Sequence, residues 1–274
     1  MRAIRAIPSL SRYLIALWVL TGVLWGGCAG TQLGGFNLMS VQEEWELGNQ
    51  LSQDIARKSP MVTDSESVAY INQLGQRLVQ QTELRNLPWK FHIVRGQEVN
   101  AFNIPGGHVY VYTGLIEKAS TESELAGVIG HEIGHGVARH ATQQITTRYG
   151  LSLLSSLLLG QNPAVYQQIL AQILGAGYLA KHGRDAEREA DHLGVQYLYQ
   201  AGIDPQGMVT FFQKLLQEDQ RQPGRVSQFF ASHPLTQERI QNVSAEIQPL
   251  GSRRNLIVSR PQFFAFKSDL VGRR

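Results

Sequence analysis

The chain has 274 residues, a formal net charge of +3 and a hydrophobic fraction of 43%, so one large domain or two small ones with a sizeable core are possible. The charge is small and forms no block of lysine and arginine, which argues against a nucleic-acid-binding protein. A single cysteine excludes a disulfide within the chain, and the lack of any repeat of twenty to fifty residues argues against a helical repeat domain.

The first predicted element is an export signal at 1–27. Arginines precede an apolar run at 13–25, which is too short for a comfortable membrane span but is typical of a signal-peptide core. The run leads into Gly-Gly-Cys28, which resembles a bacterial lipoprotein signal, although Trp25 stands where such signals prefer an aliphatic residue. We therefore predict that Cys28 is lipidated and that residues 28–40 form a tether.

The residue after Cys28 indicates the membrane to which a lipoprotein is sorted. Ala29, rather than an acidic residue, follows Cys28. By resemblance to the sorting rules of Gram-negative lipoproteins, this predicts an exported protein with a lipid anchor in the outer membrane, facing the periplasm. The alternative is ordinary secretion with cleavage nearby, which leaves a soluble periplasmic protein.

Two helices and three strands are predicted ahead of the central motif. The helices have amphipathic patterns, and Pro60 separates them. The strands show alternating or apolar patterns with a Pro-Gly-Gly turn between the last two, and His92 is expected to be structural. The predicted ranges are 41–58 and 65–82 for the helices, and 89–94, 99–103 and 108–113 for the strands.

Residues 131–135 read HEIGH, and this motif indicates a metal site. In a helix, positions four apart lie on one face, so His131 and His135 can bind the same tetrahedral zinc ion. Glu132 can take a proton from a zinc-bound water, which gives a nucleophile for a peptide carbonyl. A chance match is the competing interpretation, but the apolar spacing and the Thr121–Glu124 capping box predict a buried helix here.

A further ligand is expected downstream, because a catalytic zinc site has three protein ligands. Glu187 and Asp191 lie four apart on a predicted helix at 184–201, with Glu187 suited to the metal and Asp191 to a ligand imidazole. Taken alone, this cluster also fits a solvated helix face with ion pairs between successive turns. Glu189 points elsewhere and is assigned to solvent.

Together these motifs resemble peptidase family M48, the gluzincin metallopeptidases of the HtpX, OMA and CAAX-prenyl-protease type. Three further stretches match: the sequence NAFNIPGGHVYVYTG at 100–114, the Arg-His pair at 139–140, and Ser-His-Pro at 232–234 followed by Arg239. The resemblance covers roughly residues 40–247 and points to a short, outer-membrane lipoprotein type without a repeat domain. One departure is Asn103, where the family more often has a small residue.

The resemblance implies roles for further residues. Asn100, Ala101 and Phe102 would line a substrate cleft, where an extended peptide adds to a sheet edge. His233 would lie near the zinc, either donating to the oxyanion of the tetrahedral intermediate or capping the open zinc position. Arg239 would stabilise the same region.

The other histidines receive no functional role. His140 falls on a different helical face from His135 and is rejected as a ligand. For His108, His182 and His192 the sequence offers no argument about placement.

Two regions have less distinct patterns. Residues 151–180 are largely apolar with a break at Asn162-Pro163, which indicates a hairpin of core helices; the alternative is a mobile cover over the zinc cleft or a membrane-contacting surface. Helices are also predicted at 208–217 and 234–247. The tail at 249–274 carries a strand-like run at 256–258 and is expected to pack on the domain.

The predicted fold is α+β and mainly α-helical: a zincin-like metallopeptidase domain at 41–248 with a small antiparallel sheet beside the HEIGH helix. The predicted function is zinc-dependent endopeptidase cleavage of unfolded or damaged envelope proteins, with one zinc ion per chain and no nucleic acid. One alternative is a periplasmic zinc-binding chaperone or assembly factor with latent protease activity. The other, an integral membrane protease, is opposed by the lack of a twenty-residue apolar span. The oligomeric state is left open.

Overall fold

The computed structural model describes residues 37–158, 160, 162–176, 182–222, 226–251 and 255–272. The predicted signal peptide, Cys28 and residues 28–36 of the predicted tether lie outside the described residues. Across the described part of the chain, no helix combines the length and apolar character needed to cross a membrane.

Two helices precede the sheet, and both begin at polar caps. Helix α1 spans Val41–Lys58, and the side chain of Ser40 accepts a hydrogen bond from the Glu43 backbone while Glu43 returns one, forming a capping box. Helix α2 spans Ser65–Val79 and is capped by Asp64. Both predicted helices are therefore present, with the second ending three residues earlier than expected.

The sheet has three strands in the order β1-β3-β2: β1 is Lys90–Val94, β2 is Ala101–Ile104 and β3 is His108–Tyr112. Strands β2 and β3 form the predicted antiparallel hairpin, whose turn uses Gly106 and Gly107 at φ values of 81° and 70°. Strand β1 instead pairs in parallel with β3. The sheet is mixed rather than wholly antiparallel, because the chain places β2 on the far side of β3 from β1.

The rest of the described chain is mainly helical, which confirms the α+β, mainly helical fold. Helix α5 contains a kink at Gly150, whose φ is 71°. The helices after the sheet are α3 at Thr113–Lys118, α4 at Glu122–Val137, α5 at His140–Leu158, α6 at Pro163–Ala176, α7 at Arg184–Gln200, α8 at Gln206–Arg221, α9 at Ser227–Ser232, α10 at Gln237–Ile247 with a 3-10 turn at Gln248–Leu250, and α11 at Pro261–Gly272.

The sheet separates two apolar cores, because successive side chains of a strand point to opposite faces. Phe91, Val109 and Val111 face the larger core, which includes the buried faces of α2, α4, α7 and α8. Phe102 and Tyr110 face a second core, which α1, α5 and α6 cover. The packing of α6 in this core agrees with the predicted hairpin of core helices.

The C-terminal region packs on the domain, but mainly as a helix. Of the predicted strand-like run at 256–258, only Ile257 forms an isolated bridge, with Ile203. Helix α11 follows, and its Phe266 ring stacks on Tyr70 with centroids 4.3 Å apart. We attribute the missed helix to the aromatic cluster near its start, because aromatic residues have modest helix propensity.

Candidate metal centre

Helix α4 carries the HEIGH motif through the larger core, and every residue of the helix is buried. It begins at Thr121, whose side chain accepts from the Glu124 backbone N–H at 3.2 Å. Glycines let α4 approach its neighbours closely: a Cβ built on Gly134 would lie 2.6 Å from the carbonyl oxygen of Ala190 on α7. The two helices that carry the predicted ligands therefore cross with their backbones in contact.

The predicted ligands converge where α4 and α7 cross. The Nε2 atoms of His131 and His135 are 3.0 Å apart, and the Glu187 carboxylate lies 3.5 Å from the first and 3.3 Å from the second. All three residues are buried. The ligands of a tetrahedral zinc ion with Zn–N bonds of 2.0–2.1 Å lie about 3.3 Å from one another, so the spacing of these atoms fits zinc.

His233 brings a fourth donor to the same place. Its Nδ1 lies 3.2 Å from His131 Nε2 and 3.1 Å from the Glu187 carboxylate, while its Nε2 lies 3.4 Å from Glu132. The ligand atoms of His131, His135, Glu187 and His233 all lie within 4.8 Å of one another. A metal ion bound here can therefore have a complete tetrahedral set of protein donors.

The charge states of two of these donors, His135 and Glu187, suit a cation. Burial lowers the pKa of His135 well below its usual value, so its imidazole is neutral, as a metal ligand must be. Burial opposes ionisation of Glu187, but His233 and Arg239 hold the pKa of its carboxyl well below the usual range. The Glu187 carboxylate is therefore ionised, as a metal ligand must be.

Asp191 and Arg239 surround the ligand set. Asp191 accepts from His131 Nδ1 at 2.9 Å, which leaves His131 Nε2 free to bind a metal. Arg239 donates to Asp191 from Nε at 2.5 Å and from a terminal nitrogen at 2.8 Å, and it also contacts the Glu187 carboxylate. Although burial opposes ionisation, Arg239 lowers the pKa of Asp191, so the aspartate is charged.

Glu132 lies beside the ligands without a hydrogen bond of its own. The residue is fully buried, and in the described part of the chain neither carboxylate oxygen has a hydrogen-bond partner. A buried carboxylate that accepts no hydrogen bond is costly, so such a group points to a functional role.

Asn100, Ala101 and Phe102 lie at the beginning of the edge strand β2, but their side chains do not line an open cleft. All three are buried, and Phe102 stacks on Tyr110 in the second core with centroids 4.8 Å apart. The amide oxygen and nitrogen of Asn100 have no hydrogen-bond partner among the described residues. Beyond its pairing with β3, the segment 101–104 makes no other backbone hydrogen bond in the described part of the chain.

Three residues around His135 have contacts that sequence reasoning missed. His140 Nδ1 lies 2.9 Å from His135 Nδ1, and His140 Nε2 lies 3.3 Å from the carboxylate of Glu189. Glu189 is thus a contact of His140, although a third of its side chain is exposed. The ring of His182 stacks on His135 with centroids 3.9 Å apart. The Arg-His pair that follows the motif was the available signal for His140, whereas His182 had none.

Comparisons with known proteins show to which family the chain is similar. The model of "Peptidase family M48" matches residues 65–247, a range that includes the whole candidate centre. A beta-barrel assembly-enhancing protease of Escherichia coli (strain K12) is 29% identical over 257 residues, which cover 89% of this chain and 51% of the relative. A protein of the same name from Yersinia pestis is 32% identical over 222 residues, covering 77% of this chain and 45% of the relative.

Another relative is the mitochondrial metalloendopeptidase OMA1 of Schizosaccharomyces pombe. It is 29% identical over 174 residues, which cover 64% of this chain and 51% of the relative. The chain thus spans about half the length of the curated relatives it matches.

Proposed function

Because this chain belongs to peptidase family M48, the family that its motifs predicted, we propose that it cleaves peptide bonds in unfolded or damaged proteins of the cell envelope. The enzyme class, a zinc metalloendopeptidase, follows from the family. The observation that carries the proposal is the convergence of His131, His135 and Glu187 next to the buried carboxylate of Glu132, which accepts no hydrogen bond in the described part of the chain.

The proposed ligands of a single zinc ion are His131, His135 and Glu187. Zinc bound there would lower the pKa of a coordinated water toward neutrality and polarise the scissile carbonyl. Asp191 orients His131 by accepting its Nδ1–H, and Arg239 holds Asp191 and Glu187 in place.

Glu132 is the proposed general base. Its carboxylate accepts a proton from the water whose oxygen attacks the peptide carbonyl carbon, and it later gives that proton to the leaving amine as the C–N bond breaks. Because Glu132 has no hydrogen-bond donor bound to it in the described structure, both of its oxygens are available for this proton.

His233 is the proposed cap of the site. Its Nδ1 lies among the ligand atoms, at the position that a substrate carbonyl or water must take. This placement favours capping over donation to an oxyanion. His233→Ala should therefore raise turnover, whereas a fall in turnover would support the oxyanion role.

The proposed substrate site is the outer edge of β2. An extended peptide can pair with the backbone of 101–104, and such pairing tolerates many side chains, which suits unfolded substrates.

The proposed location is the periplasmic face of the outer membrane, with a lipid anchor on Cys28. The support is the sequence pattern around that cysteine together with the name of the bacterial relatives, which refers to beta-barrel assembly. Fractionation of a Cys28→Ser variant tests the anchor: release into the soluble periplasm supports lipidation, and unchanged membrane association contradicts it.

A second candidate function is assembly assistance with latent protease activity. The specific observation in its favour is His233, which is buried and lies against the ligands, so the site is closed in this structure. This candidate expects Glu132→Gln, which keeps the metal ligands, to support function in cells.

The test of the proposed function is cleavage of an unfolded protein such as casein by the purified protein, beside the Glu132→Gln variant, with the metal content of both determined. We expect zinc in both proteins and cleavage by the wild type alone. Zinc in both with cleavage by neither would favour the latent assembly factor. Equal cleavage by both would contradict the role of Glu132.

A further inference from the structure

We infer that His140 and Glu189 form an orienting relay for His135, in which Glu189 fixes the proton on His140 and His140 in turn fixes the ring of the proposed ligand. The relay runs through two contacts: Glu189 to His140 Nε2 at 3.3 Å, and His140 Nδ1 to His135 Nδ1 at 2.9 Å. This inference rests on the proposed role of His135 as a metal ligand. His140 and Glu189 are positioning residues, because neither belongs to the four-residue ligand group.

The hydrogen positions follow from the partners. A carboxylate only accepts, so the N–H of a neutral His140 lies on Nε2 and is donated to Glu189. That leaves His140 Nδ1 as an acceptor, and the contact with His135 then requires the proton of His135 to be on its Nδ1. The lone pair of His135 is thereby placed on Nε2, the atom that lies 3.0 Å from His131 Nε2 among the ligand atoms.

The two ligand histidines are thus oriented by different groups. His131 donates directly to the ionised Asp191, itself paired with Arg239. His135 donates to a neutral imidazole, and the carboxylate lies one residue further out, partly exposed to solvent. Because a charged acceptor forms a stronger hydrogen bond than a neutral one, the hydrogen bond that orients His135 is weaker than the one that orients His131.

His182 completes the support of His135 from a second direction. Its ring stacks on His135 at an interplanar angle of 24°, and Gln144 donates to its Nδ1 at 2.8 Å. The stack restricts tilting of the His135 ring, but it supplies no acceptor for the His135 N–H. The hydrogen bond to His140 therefore remains the contact that selects the tautomer.

A matched pair of variants separates this hydrogen bond from packing. His140→Asn keeps an acceptor, because the Asn Oδ1 is as many bonds from the backbone as the His Nδ1. His140→Leu has similar branching without an acceptor. Loss of an orienting partner typically lowers metal affinity 10–100-fold, so we expect such a loss for His140→Leu and a change within about threefold for His140→Asn.

The measurement is the zinc affinity of the full-length protein by competition with a chromogenic chelator, together with the visible spectrum of the cobalt-substituted protein. Equal affinities for the Leu variant and the wild type, or equal losses for the Leu and Asn variants, would overturn the relay. An altered cobalt spectrum in the Leu variant alone would support it, because a purely structural role leaves the ligand field unchanged.

Glu189 is tested in the same way. Glu189→Gln keeps an acceptor for His140 Nε2 and should match the wild type, whereas Glu189→Leu should weaken zinc binding. Unchanged binding by Glu189→Leu would remove Glu189 from the relay. A wild-type protein that bound no zinc would overturn the metal centre itself, so failure of the proposed function is distinguishable from failure of the relay.

Discussion

Substitution of Gly134 by alanine tests whether the crossing of α4 and α7 sets the metal geometry. The new methyl group would lie 2.6 Å from the carbonyl oxygen of Ala190 and 3.0 Å from its Cα, and both contacts are with backbone. Ordinary contact begins at 3.4 Å, so the helices must separate by about 0.8 Å, the difference between these distances. Glu187 lies on α7, three residues before Ala190, and moves with it.

The expected effect has two parts. Overpacking typically costs about 1–3 kcal/mol, and the higher helix propensity of alanine offsets about 1 kcal/mol of this, so the loss of stability should be about 0–2 kcal/mol. Zinc affinity should also fall, by about tenfold or more, because a shift near 1 Å separates Glu187 from both histidines.

Gly130→Ala is the matched control on the same helix. Its methyl group would lie 3.4 Å from the carbonyl oxygen of Gly194, which is an acceptable contact. We expect this variant to bind zinc like the wild type and to be equally or more stable. The assays are urea unfolding and zinc competition on both variants, and wild-type affinity in Gly134→Ala would refute the role assigned to the crossing.

Three further predictions concern the scaffold, the pH dependence and the metal. Arg260→Met should lower stability by about 2 kcal/mol in thermal unfolding, because it removes the charged hydrogen bonds to the fully buried Glu122. This figure is already reduced to allow for the solvent exposure of the guanidinium. An unchanged melting temperature would contradict the prediction. Burial, with neighbouring positive charge, lowers the pKa of His92 to about 4 and of His108 to about 3. Since histidine in the unfolded chain titrates near pH 6.5, the free energy of unfolding should fall as the pH drops below 6.5, by about 2 kcal/mol per histidine at pH 5. Urea unfolding at pH 5 and near pH 6.5 measures this fall, which should be smaller in His108→Gln. Chelation should abolish casein cleavage and zinc should restore it, and cleavage that persisted without metal would argue against the proposed chemistry.

Which side chains share a helix face could be predicted for the proposed metal ligands, because their spacing is a local property of a helix. A separation of four positions between His131 and His135, and between Glu187 and Asp191, places each pair on one face whatever the rest of the fold does. The structure brings both pairs together where α4 and α7 cross. The relation of His233 to them came from the family motif, since no local spacing connects it to α4.

The features that were missed depend on contacts between distant parts of the chain. The parallel pairing of β1 with β3 depends on which side of β3 the chain places β2, and strand periodicity carries no information on that choice. The contact between His140 and Glu189 joins residues 49 positions apart. Helical periodicity placed Glu189 on a different face of α7 from Glu187. It could not show that His140, the first residue of α5, lies close enough to contact Glu189.

The C-terminal contacts with α4 have a consequence for the order in which the chain is synthesised and folds. The first turn of α4 donates its backbone N–H groups to residues 258–259: Ser123 to the carbonyl of Val258 and Glu122 to the hydroxyl of Ser259. These partners emerge more than a hundred residues after the helix that needs them. During synthesis, the HEIGH helix therefore lacks the partners that fix its start until residues 258–259 have been made, so α4 cannot reach its final capped arrangement before that point.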